Sequence, residues 1–114
     1  MKVRDFVVSY DRRKLGQITK VIGDNGCIDI IEVRTFSGNC ISLLPEEIGE
    51  YCDKLIPILK AGDFVNGYRI EDIIYEKGEW KAIIKDGIIE LKENDIRQAM
   101  TREMYSMFSF WKIF

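Results

Sequence analysis

The sequence predicts a mainly β protein: two small β-barrels in tandem, punctuated by short helical turns. Three observations carry this. The chain repeats itself: Asp5-Phe6-Val7-Val8-Ser9-Tyr10 returns as Asp63-Phe64-Val65-Asn66-Gly67-Tyr68, and Gln17 to Ile22 returns as Arg69 to Ile74. Apolar residues alternate with polar ones at period 2 far more often than they recur at helical spacing. Turn dipeptides such as Asn25-Gly26 and Lys77-Gly78 separate the alternating runs. Each copy is about 57 residues, giving domains at 1–57 and 58–114. A unit of that size buries little apolar surface alone, so the copies are expected to share an interface, packed in a fixed relation without a Gly/Ser linker.

In the first copy, Phe6 to Ser9 reads as a short strand and Asp11 to Lys14 as a polar loop. Gln17 to Ile22 is the next strand, ending at the Asp24-Asn25-Gly26 turn. Cys27 to Arg34 and Cys40 to Leu44 form a hairpin about Phe36-Ser37-Gly38-Asn39. Pro45-Glu46-Glu47-Ile48 opens like a helical turn, since proline suits the first position and acids suit the positive end of the dipole.

In the second copy, a two-residue Lys77-Gly78 turn sets Tyr75 opposite Trp80 and Ile73 opposite Ala82. A two-residue Asp86-Gly87 turn sets Ile84 opposite Ile89 and Ala82 opposite Leu91. Both registers put Ile73, Tyr75, Trp80, Ala82, Ile84, Ile89 and Leu91 on one face. A helical stretch is expected near Thr101 to Met107, then a strand over Phe108 to Phe114. That strand would be apolar on both faces and so covered on both. Strand, three-stranded meander, helical turn and closing strand together describe an SH3-like small barrel of the Tudor or KOW kind. Phe6 and Phe64 are expected in equivalent core positions.

The net charge is −2, with 8 basic and 9 acidic residues in 1–57 and 9 and 10 in 58–114. Bulk charge therefore favours nucleic-acid binding in neither half. Hydrophobic content of 46% with 32% charged residues is a globular composition. No apolar run approaches the ~20 residues that span a bilayer, so no membrane association is expected. Cys27, Cys40 and Cys52 contain no C-x-x-C pair, which points to reduced thiols in a cytoplasm. Histidine is absent, which removes the usual zinc sites and every Ser-His or Cys-His pair. Cys40 reads as a small core hydrophobe, and Asp24, Asn25 and Asp29 as turn residues too few for a calcium loop. No catalytic, cofactor or metal site is expected.

Lys60-Ala61-Gly62-Asp63-Phe64-Val65-Asn66-Gly67-Tyr68 resembles a group of small clostridial phage and prophage proteins. These carry a stretch similar to "GDYVNGYKV", a β meander and an "IKSIVTKEQF" type of ending, to which Asp95 to Tyr105 is similar. The resemblance covers about residues 55–107 and rests on turn and core residues. It implies a mobile-element protein acting in a bacterial host cytoplasm. In the first copy Arg4 stands where the motif has glycine, and Asp11 to Leu15 is additional.

Three surfaces could carry function. The Arg12-Arg13-Lys14 loop, with Tyr10 beside it, could contact phosphates, assisted by Lys20 and Arg34, or could be a solvated loop. Tyr10, Tyr68 and Trp80 could read a methylated lysine only as a clustered cage. Phe108, Phe110, Trp111 and Phe114 could cover a second barrel, a second subunit or a partner. The expectation is a non-enzymatic module that binds a host protein, through Phe108, Phe110, Trp111, Phe114, Tyr10, Arg12, Arg13 and Lys14. Inhibition of a host defence system such as a CRISPR effector is the concrete form the resemblance suggests. A nucleic-acid-binding module, a homodimer and a virion assembly protein are the alternatives.

Overall fold

The protein is described by a computed structural model that covers the backbone of residues 1–112 and side chains through Met107. It is mainly β and falls into two compact units, Met1–Ile58 and Leu59–Phe114.

The first unit is one antiparallel sheet. Its strands are β1 (Phe6–Ser9), β2 (Leu15–Asp24), β3 (Cys27–Thr35), β4 (Cys40–Leu43) and β5 (Ile48–Cys52), in spatial order β4-β3-β2-β1-β5. Asn25 and Gly26, at φ of 53° and 80°, make the tight turn between β2 and β3. Positive φ at both positions gives a turn whose twist matches that of the strands it joins. A 3-10 turn, Pro45–Glu47, separates β4 from β5. One face of the sheet buries Val7, Ile18, Ile31, Val33 and Leu43, with Met1, Val21, Ile28, Ile41 and Ile48 packed around them. Each such side chain contributes about 1.5–3 kcal/mol on burial.

The second unit has β6 (Phe64–Val65), β7 (Tyr68–Arg69), β8 (Asp72–Glu76), β9 (Glu79–Ile84), β10 (Gly87–Leu91) and β11 (Ala99–Met100), then helix α1 (Arg102–Lys112). Its two sheets have the orders β11-β6-β7 and β10-β9-β8. The 3-10 turn Glu93–Asp95 precedes β11 as Pro45–Glu47 precedes β5. In both units the last strand pairs with the first. The expected barrels are not closed: among the described residues β4 and β5 end one open sheet, and the second unit has two separate sheets.

The repeat extends to individual hydrogen bonds. The carboxylate of Asp5 accepts from the Lys2 amide at 3.0 Å, and that of Asp63 from the Lys60 amide at 2.8 Å. Each Asp amide donates back to the same lysine's carbonyl. Arg4 and Gly62 donate to Ile18 and Ile70, and those isoleucines donate to Asp5 and Asp63. β2 carries a bulge at Thr19, just after Ile18. At the matching place the second copy breaks between β7 and β8, just after Ile70.

Several expectations need correction. Phe6 and Phe64 do match, facing Gln17 and Arg69, but both are half-buried. The core residues are their neighbours Val7 and Val65, which point to the other face. The β8–β9 register is as expected, with Tyr75 opposite Trp80 and Ile73 opposite Ala82. The β9–β10 turn is Lys85-Asp86, so Ile84 faces Gly87 and Ala82 faces Ile89, two residues from the expected register. A shift of two keeps each side chain on its face: Ala82 and Leu91 are buried, although Tyr75 is 61% exposed. The backbone over 108–112 belongs to α1 and is not a strand; residues 113–114 lie outside the described residues. The strand that pairs with β6 is β11, too short to show alternation. Thr101 then starts the helix, its hydroxyl accepting from the Met104 amide at 3.2 Å.

Two stability predictions follow from the shared hydrogen bonds. Asp63 is 1% exposed and also accepts from the Arg102 amide at 3.0 Å. Asp63→Ala leaves buried donors unpaired and should cost about 2–3 kcal/mol in urea unfolding. A cost below about 0.5 kcal/mol would mean that water replaces the carboxylate. Arg4 sits at φ 79°, where Gly62 sits at φ 96°. Arg4→Gly should raise stability by about 0.5–1 kcal/mol, because relief of left-handed strain outweighs the added chain entropy.

Candidate functional site

The first unit carries six residues more than the second between the matched aspartate and isoleucine: Ile18 follows Asp5 by 13, Ile70 follows Asp63 by 7. The second copy spans that interval with an Asn66-Gly67 turn, at φ of 49° and 86°. The first spans it with the loop from Tyr10 to Lys14.

That loop is braced from within. Ser9 is buried, and its hydroxyl donates to Asp11 Oδ1 at 2.7 Å while accepting from the Lys14 amide at 3.0 Å. Asp11 Oδ1 also accepts from the Arg13 amide at 3.0 Å. Backbone bonds from Ser9 to Lys14 and from Arg12 to Ser9, both 2.9 Å, close the base. Arg12 adopts φ 59° to make the bend, and its Nη1 donates to the Ile58 carbonyl at 3.4 Å.

Glu47 braces the loop from outside. Its carbonyl accepts from the Tyr10 amide at 2.7 Å. Its Oε1 accepts from the Leu44 amide at 3.1 Å, and its Oε2 pairs with Lys14 Nζ at 3.5 Å. The loop lies so close to β5 that a Cβ on Gly49 would meet the Ser9 carbonyl at 2.9 Å and Tyr10 Cα at 3.0 Å. Only glycine lets the two backbones approach this closely.

The bracing leaves Tyr10 pointing into solvent, 83% exposed, with Arg13 exposed beside it. Tyrosine and arginine on a rigid support are the residue types that anchor protein interfaces. The loop is less suited to a phosphate chain. Lys14 is paired with Glu47, Arg12 reaches a carbonyl, and Asp11, Glu46 and Glu47 balance the three basic residues. The Arg13 amide holds the Asp11 carboxyl below its ordinary value of 3.8, followed by the Ser9 hydroxyl and the nearby charges of Arg13 and Lys14.

Tyr10, Arg12, Arg13 and Lys14 thus share one loop. Ser9, Glu47 and Gly49, which hold it, were not singled out from sequence, although Ser-x-Asp is a known turn signal. Lys20 and Arg34 lie on β2 and β3, opposite Glu32 and Gln17. Trp80 packs on Tyr75 with ring centroids 4.7 Å apart. The side chains of Phe108, Phe110 and Trp111 lie outside the described residues, as does all of Phe114. Cys40 is exposed opposite Arg34, not a core residue, and all three cysteines are free thiols. Among the described residues no cluster of three His, Cys, Asp or Glu side chains could hold a metal ion, and no helix is long and apolar enough to cross a membrane.

The residues of the Gly62–Tyr68 stretch have structural duties. Gly62 supplies a left-handed turn, Asp63 the buried carboxylate and Val65 a core side chain. Asn66 donates to the Asp95 carbonyl at 2.9 Å and accepts from the Arg97 and Gln98 amides at 2.8 and 3.1 Å. It thereby ties the β6–β7 turn to the chain after the 3-10 turn. No family model, curated protein or solved structure matches the chain.

The bracing predicts a pH response confined to the loop. A carboxyl with a lowered pKa contributes fully above its unfolded value, and loses that contribution as pH falls through its folded one. The Arg13 and Lys14 amides should be protected from exchange near neutral pH. They should lose protection only once the pH drops below the usual carboxylate range. Asp11→Ala should abolish that protection at every pH while leaving the core amides of Val7 and Val33 unchanged.

Proposed function

We propose that this chain is a non-enzymatic protein-binding module, built from two SH3-like units, whose first unit presents Tyr10 and Arg13 on a preorganised loop. The observation that carries this is the contrast between the loop's bracing and its tip: backbone and polar groups are tied down, while an aromatic side chain is left 83% exposed. Ordering a loop costs chain entropy, which a mere connector need not bear; the second unit connects the same elements with a two-residue turn. Support for SH3-like units comes from the chain order: a β meander, a 3-10 turn, then a last strand set against the first, in both copies. The resemblance of Gly62 to Tyr68 to phage and prophage proteins suggests a host protein in a bacterial cytoplasm as partner, a defence effector among the candidates.

The test is retention of host proteins on immobilised wild-type and Tyr10→Ala chains. Retention should survive high salt and nuclease, and Tyr10→Ala should weaken it about 30-fold or more, as loss of an interface anchor does, with no change in melting temperature. Binding of nucleic acid that falls steeply with salt would replace this reading with the phosphate-binding one. Equal retention by the variant would remove Tyr10 from the site.

A further inference from the structure

We infer that β4 is a self-association edge, pairing antiparallel with β4 of a second copy about a two-fold axis through Ile41. Among the described residues β4 pairs only with β3. Edge strands are commonly protected by charge or proline. Glu50 serves β5, Arg69 serves β7, Asp72 and Glu76 serve β8, and Glu90 serves β10, while the remaining edge, β11, is only two residues long and offers no strand to pair with. β4, Cys40-Ile41-Ser42-Leu43, has neither. Cys40 and Ser42 are small and exposed, so a neighbouring strand can approach closely.

The hydrogen-bond parity fixes which groups face outward. The Thr35 amide donates to the Asn39 carbonyl at 2.8 Å, so this pair is a bonded one. Bonded pairs alternate along an antiparallel ladder. Given the register Arg34–Cys40 and Val33–Ile41, it is Ile41 and Leu43 that bond to β3. The N–H and C=O of Cys40 and Ser42 therefore point to the open edge.

The next outward groups on each side are already used. Leu44 donates to Glu47 Oε1 and accepts from the Glu47 amide. The Gly38 amide donates to the Thr35 carbonyl at 3.0 Å. The available edge is thus Cys40 and Ser42 alone, placed symmetrically about Ile41. Only the Ile41-centred register uses both, setting Cys40 against Ser42 of the second copy, and Ser42 against its Cys40, each as a bonded pair.

Charge selects the same register. Arg34 lies beside Cys40 and Glu32 beside Ser42 on β3. In the Ile41-centred arrangement each Arg34 shares a cross-strand row with Glu32 of the other copy. The rows span three strand spacings, about 14 Å between backbones. Extended over small residues, the side chains bring their charges within the ~10 Å screening length. Centring on Cys40 would set Arg34 against Arg34, and centring on Ser42 would set Glu32 against Glu32. A second copy is therefore the occupant whose groups and charges match this edge.

The experiment uses the full chain. Sedimentation over a concentration series should show a reversible monomer–dimer equilibrium. Arg34→Glu should weaken it several-fold, and Arg34→Glu combined with Glu32→Arg should restore it, an outcome that impaired folding would not produce. In a background with Cys27 and Cys52 replaced by serine, mild oxidation of Ser42→Cys should join Cys40 of one copy to the introduced thiol of the other. A monomer at every concentration would overturn the proposal. So would crosslinks chiefly between the two Cys40 residues, or an edge that takes an extended peptide without self-association.

Discussion

A buried carboxylate at the start of the first strand organises each unit. Asp5 and Asp63 accept through their carboxylates from the amide three residues before them, and their carbonyls accept from Ile18 and Ile70, whose own carbonyls receive the amides of Arg4 and Gly62. The residue just before each aspartate must turn left-handed to allow this, and does so in both copies. One acid therefore sets where the strand begins, the direction from which the chain enters and the register of the first hairpin. Asp63 has a further duty, since its other oxygen receives the first amide of α1. An anion at that end of a helix meets otherwise unpaired amides and the positive end of the helix dipole.

Because the aspartate and isoleucine hold each other, the chain between them can vary in length without disturbing the sheet. Closing a longer loop costs only a fraction of a kcal/mol per residue added. Fixing that loop in one shape costs much more. In the first unit Ser9, Asp11 and Glu47 supply the polar contacts that offset this, and Gly49 supplies the room. The result is a braced loop that leaves the side chains of Tyr10 and Arg13 exposed.

Much of the scaffold was legible because turn chemistry is local. Asn25-Gly26 and Lys77-Gly78 turn where their residue types suggest, and the β8–β9 register follows from the second of them. The repeat was legible because the matched residues, Asp5 with Asp63 and Ile18 with Ile70, hold the hydrogen-bond frame. What failed were inferences from side-chain size. Phe6 looked like a core residue, yet strand parity gives the core to Val7. Residues 108–112 are apolar at both periods, so alternation could not distinguish strand from helix, and the deciding signal was the Thr101 cap upstream. At the candidate site the basic loop was visible, but its bracing was not: Glu47 lies 37 positions from Tyr10 in the chain and reaches it only through the fold.

Duplication also separates scaffold from function. Positions on which the copies agree are occupied by folding: the aspartate, the isoleucine, the core valine, and the 3-10 turn before the last strand. Such positions have little freedom to recognise anything else. Under the proposed binding function recognition falls to positions where the copies differ, and the aromatic after each aspartate shows how differences are accommodated. Phe6 stacks with Phe36 from the β3–β4 loop at 6.2 Å, whereas Phe64 stacks with Tyr105 from α1 at 4.4 Å. The same half-exposed platform receives a loop in one unit and a helix in the other. A fold built in this way can acquire a Tyr10 loop in one copy and a terminal helix in the other without altering the hydrogen bonds that hold either together.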